Sequence, residues 1–179
     1  MPENREAGPP AESSPPYRAA IITSSDKGFR GEREDLSGEA IRELAERRGY
    51  VVVSKIILPD ERALLERELR RLCDTGAADL VLTTGGTGFS PRDCMPEATT
   101  AVADRMVPGI SEALRQHSLA ITKRAMFSRA VSAIRGSTLI VNLPGSPGAV
   151  RECLEFILDE LHHGLDILTG RDGECGRGA

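Results

Sequence analysis

The stretch DLVLTTGGTG, residues 79–88, decides the fold because it joins a short apolar run directly to a glycine-rich loop. We predict a β-strand over residues 79–83, where Leu, Val and Thr are concentrated. Two further β-rich runs, residues 17–23 and 50–58, also end in unusual loops, and an amphipathic stretch follows each of them. This alternation is typical of a parallel sheet with crossover helices.

Two helices are predicted after the first two strands. The first begins with Ser37 as its N-cap and stops at Gly49, a residue suited to the left-handed cap. The second begins at Asp60 and ends before Gly76. Their apolar faces are formed by Ile41, Leu44 and Ala45 in the first helix and by Leu64, Leu65, Leu69 and Leu72 in the second.

The C-terminal third of the chain indicates a change of strand direction and a long closing helix. Residues 130–134 and 138–143 are β-like, and the turn at 135–137 is short enough to join antiparallel neighbours. A helix whose apolar residues extend over 150–168 should begin after Pro147. We therefore predict an α/β three-layer sandwich, with a mostly parallel sheet, a short antiparallel element and helices on both faces.

Composition indicates one globular domain in a chain of 179 residues. Because aromatic residues make up only 3% and Trp is absent, the core must be aliphatic, and a base-stacking surface is disfavoured. The net charge of -4 gives no general attraction to a polyanion, so we expect no nucleic-acid partner. We assign residues 17–170 to the α/β domain, residues 1–16 to a disordered tail and residues 171–179 to a flexible C-terminal tail.

The sequence shows no signal for a membrane or an oxidising compartment. No apolar run is long enough to span a bilayer, and the first ten residues lack the order of a signal peptide. We therefore expect a cytoplasmic protein with no membrane partner. The cysteines form no CxxC pair, which favours reduced thiols over a disulfide framework or a zinc site; they are Cys73, Cys94, Cys153 and Cys175.

Four loops of unusual composition follow the predicted strands. In an open α/β sheet, ligands bind outside the carboxyl ends of the strands, so these loops together indicate one shared crevice. The loops are Thr23-Ser24-Ser25-Asp26, Leu58-Pro59-Asp60, Thr84-Gly85-Gly86-Thr87-Gly88 and Asn142-Leu143-Pro144-Gly145-Ser146-Pro147-Gly148.

The glycine-rich loop can bind a phosphate group, because successive N–H groups without obstructing side chains can converge on anionic oxygens. The alternative is a tight turn that needs glycine only for its backbone angles. GGTGFSP lacks the third glycine of the dinucleotide fingerprint, and GxxxxGK[ST] is absent from the chain. A serine hydrolase is also disfavoured, since there is no GxSxG motif and no evident partner histidine.

Two aspartates could hold a cation in the predicted crevice. Asp93 lies just before Pro96 and Glu97, which suit the first turn of a helix. A carboxylate beside a phosphate group repels it unless a cation such as Mg²⁺ lies between them. The alternative is that Asp93 only caps the next helix, and this alternative applies more strongly to Asp60. Ser146 is interpreted as an N-cap whose helix start could also receive an anion.

These residues together resemble the molybdenum-cofactor biosynthesis family, which includes bacterial molybdopterin adenylyltransferases, MoaB-type proteins and the N-terminal domain of gephyrin. The resemblance runs from about Arg18 to Gly170. It rests, in this order, on TSSD, LPDE, TTGGTGFSPRDCMPEA, PGISEALRQ, FSRAV and TLIVNLPGSPGAVRECL. The ordered set is far more specific than GGTG alone.

The resemblance implies a homotrimer that binds molybdopterin and, in catalytic members, transfers AMP from ATP to the phosphate of the pterin with Mg²⁺ as cofactor. It implies catalytic roles for Asp60 and Asp93, which would also hold the Mg²⁺, and a downstream molybdenum-insertion enzyme as a partner. The positions that it implies for binding phosphate, pterin or nucleotide are Ser24, Asp26, Gly85, Gly86, Thr87, Gly88, Asn142, Pro144, Gly145 and Ser146.

Two functions stay open at this point. The first is a molybdopterin adenylyltransferase, and the second is a non-catalytic, MoaB-type protein that binds molybdopterin and passes it on. The presence of both aspartates and of an intact GGTG favours the first.

Overall fold

A computed structural model describes residues 15–171 of the chain. The strands are β1 (Arg18–Ser24), β2 (Val51–Leu58), β3 (Leu80–Thr84), β4 (Arg105–Met106), β5 (Ser132–Arg135) and β6 (Thr138–Leu143). The α-helices are α1 (Asp26–Phe29), α2 (Leu36–Arg47), α3 (Arg62–Asp74), α4 (Met95–Val102), α5 (Pro108–Ile121) and α6 (Pro147–Thr169), and a 3₁₀ helix covers Lys123–Phe127.

All six of these strands belong to one sheet, in the order β2-β1-β3-β6-β5-β4. β2, β1, β3 and β6 run parallel, whereas β5 is antiparallel to β6 and β4 is antiparallel to β5. This confirms the predicted sheet with its antiparallel element. β2 lies on one side of β1 and β3 on the other, so the strand order reverses at β1. In parallel sheets, ligands bind in the crevice that the carboxyl ends of the strands form where the order reverses in this way.

The core consists of two aliphatic layers, one on each face of the sheet. Successive side chains of a strand point to opposite faces, and the buried residues of β1 follow this rule. Ile21 packs into the layer formed with α2, α5 and α6, whereas Ile22 packs into the layer formed with α3 and α4. Leu82 and Val81 of β3 divide in the same way. The predicted three-layer arrangement is therefore confirmed.

The helix starts differ from the prediction at both of the first two long helices. α2 is capped by Asp35, whose Oδ1 accepts a hydrogen bond from the backbone N of Gly38 at 2.9 Å, so Ser37 as N-cap is wrong. α3 has Glu61 rather than Asp60 at its N-cap position. Glu61 makes no side-chain capping hydrogen bond, whereas the Asp60 carboxylate accepts from Ser24 and the Ser37 hydroxyl donates to Gly145, so both predicted caps are engaged with other loops instead. The short helix α1 was not predicted.

The ends of the described chain lie close together. The Arg171 guanidinium is 4.0 Å from the centre of the Tyr17 ring, and its Nη1 also donates to the carbonyl oxygen of Pro15. Most of both predicted tails, residues 1–14 and 172–179, falls outside the described residues, so the disorder of the tails stays a prediction. No helix within 15–171 is long and apolar enough to cross a membrane.

Candidate active site

The four loops singled out in the sequence meet at the carboxyl edge of the parallel strands. They surround a crevice of about 680 Å³ between the loops after β1 and β3, with the start of α6 on one side. The predicted site residues among those that line it are Ser24, Asp60, Gly85, Gly86, Thr87, Gly88, Asp93, Gly145 and Ser146. One shared site therefore collects residues that are far apart along the chain.

The glycine-rich loop presents unpartnered backbone donors to this crevice. Gly85 and Gly86 have φ angles of 82° and 63°, the left-handed region that favours glycine. A Cβ on Gly85 would collide with the carbonyl oxygen of Ser24, so the first-strand loop and the glycine loop touch through backbone. Within residues 15–171, no protein acceptor takes the N–H groups of Gly86, Thr87 and Gly88. Such a run of free donors is suited to phosphate oxygens.

Two hydroxyl groups hold the loop after β6 in place. The Ser37 hydroxyl donates to the carbonyl oxygen of Gly145 at 2.8 Å, and the Thr84 hydroxyl donates to that of Pro144 at 2.7 Å. The loop is thereby fixed to α2 on one side and to β3 on the other. The start of α6 is set against the glycine loop as a result.

Asp60 belongs to a hydrogen-bonded network and does not cap a helix. Its Oδ1 accepts from the Ser24 hydroxyl at 2.6 Å, and its Oδ2 accepts from the backbone N of Asp26 at 3.0 Å. The backbone N of Asp60 donates in return to Oδ1 of Asp26 at 3.0 Å. The capping alternative for Asp60 is therefore wrong, and the carboxylate is oriented by the first-strand loop.

Asp26 is also held by Arg92, the residue before Asp93. Arg92 donates from Nε and Nη2 to the two carboxylate oxygens of Asp26, at 3.0 and 2.9 Å. This bidentate pairing lowers the pKa of the Asp26 carboxyl below its ordinary value. Arg92 thus ties the loop of Asp93 to the network around Asp60.

Asp93 faces the crevice from the loop before α4. Its Oδ2 accepts from the backbone N of Ser90 at 2.9 Å, while Oδ1 has no hydrogen-bond partner within the described part of the chain. Cys94 occupies the N-cap position of α4, so the capping alternative for Asp93 is wrong as well. One oxygen of this carboxylate fixes its own loop, and the other is free to bind a ligand.

Comparison with known proteins shows which family the chain belongs to. A family model described as a probable molybdopterin binding domain matches residues 20–163. The chain belongs to this molybdenum-cofactor biosynthesis family. Its members named molybdopterin adenylyltransferase include one from Helicobacter pylori strain J99, 41% identical over 154 residues that cover 84% of this chain and 86% of the relative. The one from Escherichia coli K12 is 41% identical over 145 residues, which cover 79% of this chain and 74% of the relative.

Solved structures of the family share the fold. The molybdopterin biosynthesis enzyme MoaB from Thermus thermophilus matches with a TM-score of 0.81 at 47% sequence identity. The match covers 86% of this chain and 97% of that one. The resemblance drawn from the sequence motifs is therefore confirmed at the level of family and fold.

Asn142 and Ser146, two of the predicted binding residues at the end of β6 and in the loop after it, also have structural roles. Asn142 is completely buried, and its amide nitrogen donates to the hydroxyl groups of Thr83 and Thr99, both at 2.9 Å. These bonds hold the end of β6 against β3 and α4. Ser146 is the N-cap of α6, as predicted, and its Oγ accepts from the backbone N of Ala149 at 3.3 Å.

A second cavity of about 410 Å³ adjoins the crevice. The two share Thr87, Gly88 and Ser146 in their walls. The second cavity lies between α5, the 3₁₀ helix and the start of α6; its lining includes Leu114, Arg115, Arg124, Ala125, Phe127 and Cys153. A ligand in each cavity could therefore meet the other at the end of the glycine loop.

The charges in the crevice are predominantly negative. Four carboxylates line it, and the only basic side chain among its described lining residues is Arg33, which is exposed. Within residues 15–171, no cluster of three or more acidic, His or Cys side chains forms a complete metal site. Mg²⁺ is usually held by one or two carboxylates together with substrate phosphates, and Asp60 and Asp93 beside the free N–H groups fit that pattern.

Two arginines that hold the loops of the site together were not singled out from the sequence. Arg92 stands beside Asp93 in the quoted motif, and Arg129 lies in FSRAV, yet neither motif shows what the guanidinium contacts. The partner of Arg92 is 66 positions away along the chain, and the partners of Arg129 are 32 to 41 positions away. Only the fold brings them together.

Proposed function

We propose that this protein is a molybdopterin adenylyltransferase, which transfers AMP from ATP to the phosphate of molybdopterin. One observation carries the proposal: the free N–H groups of Gly86, Thr87 and Gly88 share a crevice with the carboxylates of Asp60 and Asp93. The names of the relatives from Helicobacter pylori and Escherichia coli support the same reaction.

The reaction requires two anions to be brought into line. An oxygen of the pterin phosphate attacks the α-phosphorus of ATP, the bond from that phosphorus to the bridging oxygen breaks, and pyrophosphate leaves with the electron pair. Neither a protein nucleophile nor a protein-mediated proton transfer is needed. The residues contribute by positioning the phosphates and by compensating their charge.

The two adjoining cavities give each substrate a place in this proposal. The crevice with Asp60 and Asp93 takes the triphosphate, because these carboxylates can share a cation with it. The second cavity takes the pterin, because apolar side chains and two arginines line it. The phosphates then meet at Thr87 and Gly88, which both cavities share.

Asp93 and Asp60 are the residues that would hold Mg²⁺. When bound, the ion would neutralise phosphate charge and make the α-phosphorus more electrophilic. Asp93 offers its free Oδ1. Asp60 lines the same crevice, and the Ser24 hydroxyl and the Asp26 backbone N–H hold its carboxylate in a fixed orientation. Asp26 contributes through this orientation.

We also propose a homotrimer whose product is used by a downstream molybdenum-insertion enzyme. An apolar groove of about 530 Å³ between α5 and α6 supports self-association, since it includes Ile110, Ala113 and Ile157 together with Phe156, which is 47% exposed. Multi-angle light scattering at micromolar concentration should give three times the chain mass, and a monomer would contradict the proposal.

Adenylyl transfer is tested by incubating the protein with molybdopterin, ATP and Mg²⁺ and separating the products by chromatography. We expect adenylylated pterin and an equal amount of pyrophosphate. The α,β-methylene analogue of ATP serves as the control, since its bridging carbon cannot leave. Retention of molybdopterin without any adenylylated product would instead indicate the binding and carrier function.

A further inference from the structure

We infer that Arg129 is a positioning residue that fixes Asp93 relative to the glycine-rich loop. The inference rests on the proposed function, since it concerns the geometry of that site. Arg129 lies between the 3₁₀ helix and β5, at the edge of the sheet where the crevice opens.

A single side chain connects three segments of the site. Nε of Arg129 donates to the carbonyl oxygen of Gly88 at 2.6 Å, and Nη2 donates to the carbonyl oxygen of Asp93 at 2.8 Å. Nη1 forms an ion pair with Glu97, in the first turn of α4. The glycine loop, the loop of Asp93 and α4 are therefore held at fixed distances from one another.

The backbone of Arg129 extends this control to the N–H group of Gly88. Its own N–H donates to the carbonyl oxygen of Thr87 at 2.9 Å. A peptide group is planar and trans, so the N–H of Gly88 must point away from the oxygen of Thr87. The side chain of Arg129 binds the next carbonyl along the chain, that of Gly88. Arg129 therefore fixes the peptide planes on both sides of Gly88.

Asp93 packs closely enough against Gly88 for the two to move together. A Cβ built on Gly88 would lie 2.9 Å from Oδ2 of Asp93, which means that the carboxylate occupies the space beside the glycine. Arg129 binds the backbone of both residues. A change in its geometry should therefore alter the spacing between the free N–H of Gly88 and the free Oδ1 of Asp93.

Lysine cannot replace arginine in this role. The guanidinium is a rigid planar fork that donates in several fixed directions, whereas the lysine ammonium is one compact charge on a flexible stem. The substitution Arg129→Lys is therefore expected to keep the charge opposite Glu97 but to lose at least one of the two carbonyl contacts.

Arg135 provides a matched control, because it lies at the other end of β5 from Arg129. Its Nη1 donates to the carbonyl oxygen of Val102 at 2.9 Å, and Nε and Nη2 donate to Asp74 at 2.7 and 2.9 Å. Arg135 pairs with Thr138 at the start of β6, far from the crevice end of that strand. It thus makes the same kinds of bonds as Arg129 without contacting the site.

The test compares R129K and R135K with the wild type in three measurements: the melting temperature, the kcat and KM of adenylyl transfer, and the affinity for Mn²⁺ in the presence of ADP. We expect both variants to melt earlier to a similar degree. R129K alone should weaken Mn²⁺ binding about 10- to 100-fold, as is typical when a supporting partner of a metal ligand is removed. Its kcat should fall about 10- to 100-fold, with a smaller change in KM.

The inference is overturned if R129K matches R135K in both Mn²⁺ affinity and kcat, because Arg129 would then only stabilise the fold. If R129K does not fold, Arg129→Gln, which removes the charge and the fork, is measured in its place with the same expectation. Absence of transfer by the wild type, with Mn²⁺ binding still weakened in R129K, would remove the proposed reaction and leave the positioning role intact.

Discussion

Substitution of Asp93 by Asn should separate catalysis from folding. In the structure, Oδ2 of Asp93 accepts one hydrogen bond from the backbone N of Ser90 at 2.9 Å. Asn retains an oxygen that can accept this bond, and α4 does not use the side chain as a cap. A hydrogen bond to a charged group contributes roughly 1.5–3 kcal/mol and a neutral one roughly 0.5–1.5 kcal/mol, so the free energy of unfolding should fall by about 1–1.5 kcal/mol.

The expected loss of activity is larger. Removing the charge of Asp93 leaves Asp60 as the remaining proposed ligand of the Mg²⁺. Removal of one preorganised group that stabilises developing charge costs about 10²–10³ in kcat, which corresponds to about 2.7–4 kcal/mol. A domain with a stability of about 5–15 kcal/mol stays folded after the smaller loss, so unfolding cannot account for the decrease in kcat.

The assay measures adenylylated pterin at saturating ATP and Mg²⁺, alongside urea unfolding of the same samples. Asp104→Asn is the matched control, because Oδ2 of Asp104 also accepts a backbone hydrogen bond, from Gly136 at 2.7 Å, but near the turn between β5 and β6. Full turnover in Asp93→Asn would refute the mechanism. An equal loss in Asp104→Asn would show that the effect does not come from the site.

Two further substitutions test the loops around the crevice. Gly85→Ala and Gly49→Ala both place Ala at a positive φ, 82° and 85°, which costs about 1–2 kcal/mol, but only at Gly85 would the added Cβ also meet backbone, that of Ser24. The Gly85→Ala variant should therefore lose clearly more stability than Gly49→Ala in urea unfolding. Equal losses would contradict the close contact between the two loops. Arg92→Met should raise the pKa of the Asp26 carboxyl, since the pairing with Arg92 lowers it. A carboxyl whose pKa is lowered on folding stabilises the fold above its unfolded pKa of about 3.9, and this stabilisation is lost as the pH falls through the folded pKa. The difference in melting temperature between Arg92→Met and the wild type should therefore be constant near neutral pH and vanish in acid. NMR titration of the Asp26 carboxyl checks the shift, and an unchanged pKa would contradict it.

The pattern of apolar residues carried enough information for the fold. Each predicted strand lies within two residues of an observed one, because strands such as β3 are buried along their whole length and are rich in Leu, Val and Thr. The loops that follow the strands then had to meet at one edge. The crevice was predictable for the same reason, as its position depends on strand direction and order.

Contacts between loops were less predictable. Asp35, rather than Ser37, caps α2, and the Ser37 hydroxyl is used by Gly145 instead, which lies 108 positions away. Arg92 and Arg129 reach partners in other loops that no local pattern specifies. Sequence periodicity predicts which face of an element is buried, but the choice among nearby polar partners depends on tertiary distances.

The claim that both phosphates meet at the end of the glycine loop is tested most directly by a crystal structure with the α,β-methylene analogue of ATP, Mg²⁺ and molybdopterin. We predict that the α-phosphate and the pterin phosphate both contact the N–H groups of Gly86, Thr87 and Gly88. Mg²⁺ should lie about 2.0–2.1 Å from Oδ1 of Asp93. A triphosphate bound away from this loop, or a metal ion with no contact to Asp93 or Asp60, would contradict the proposed mechanism.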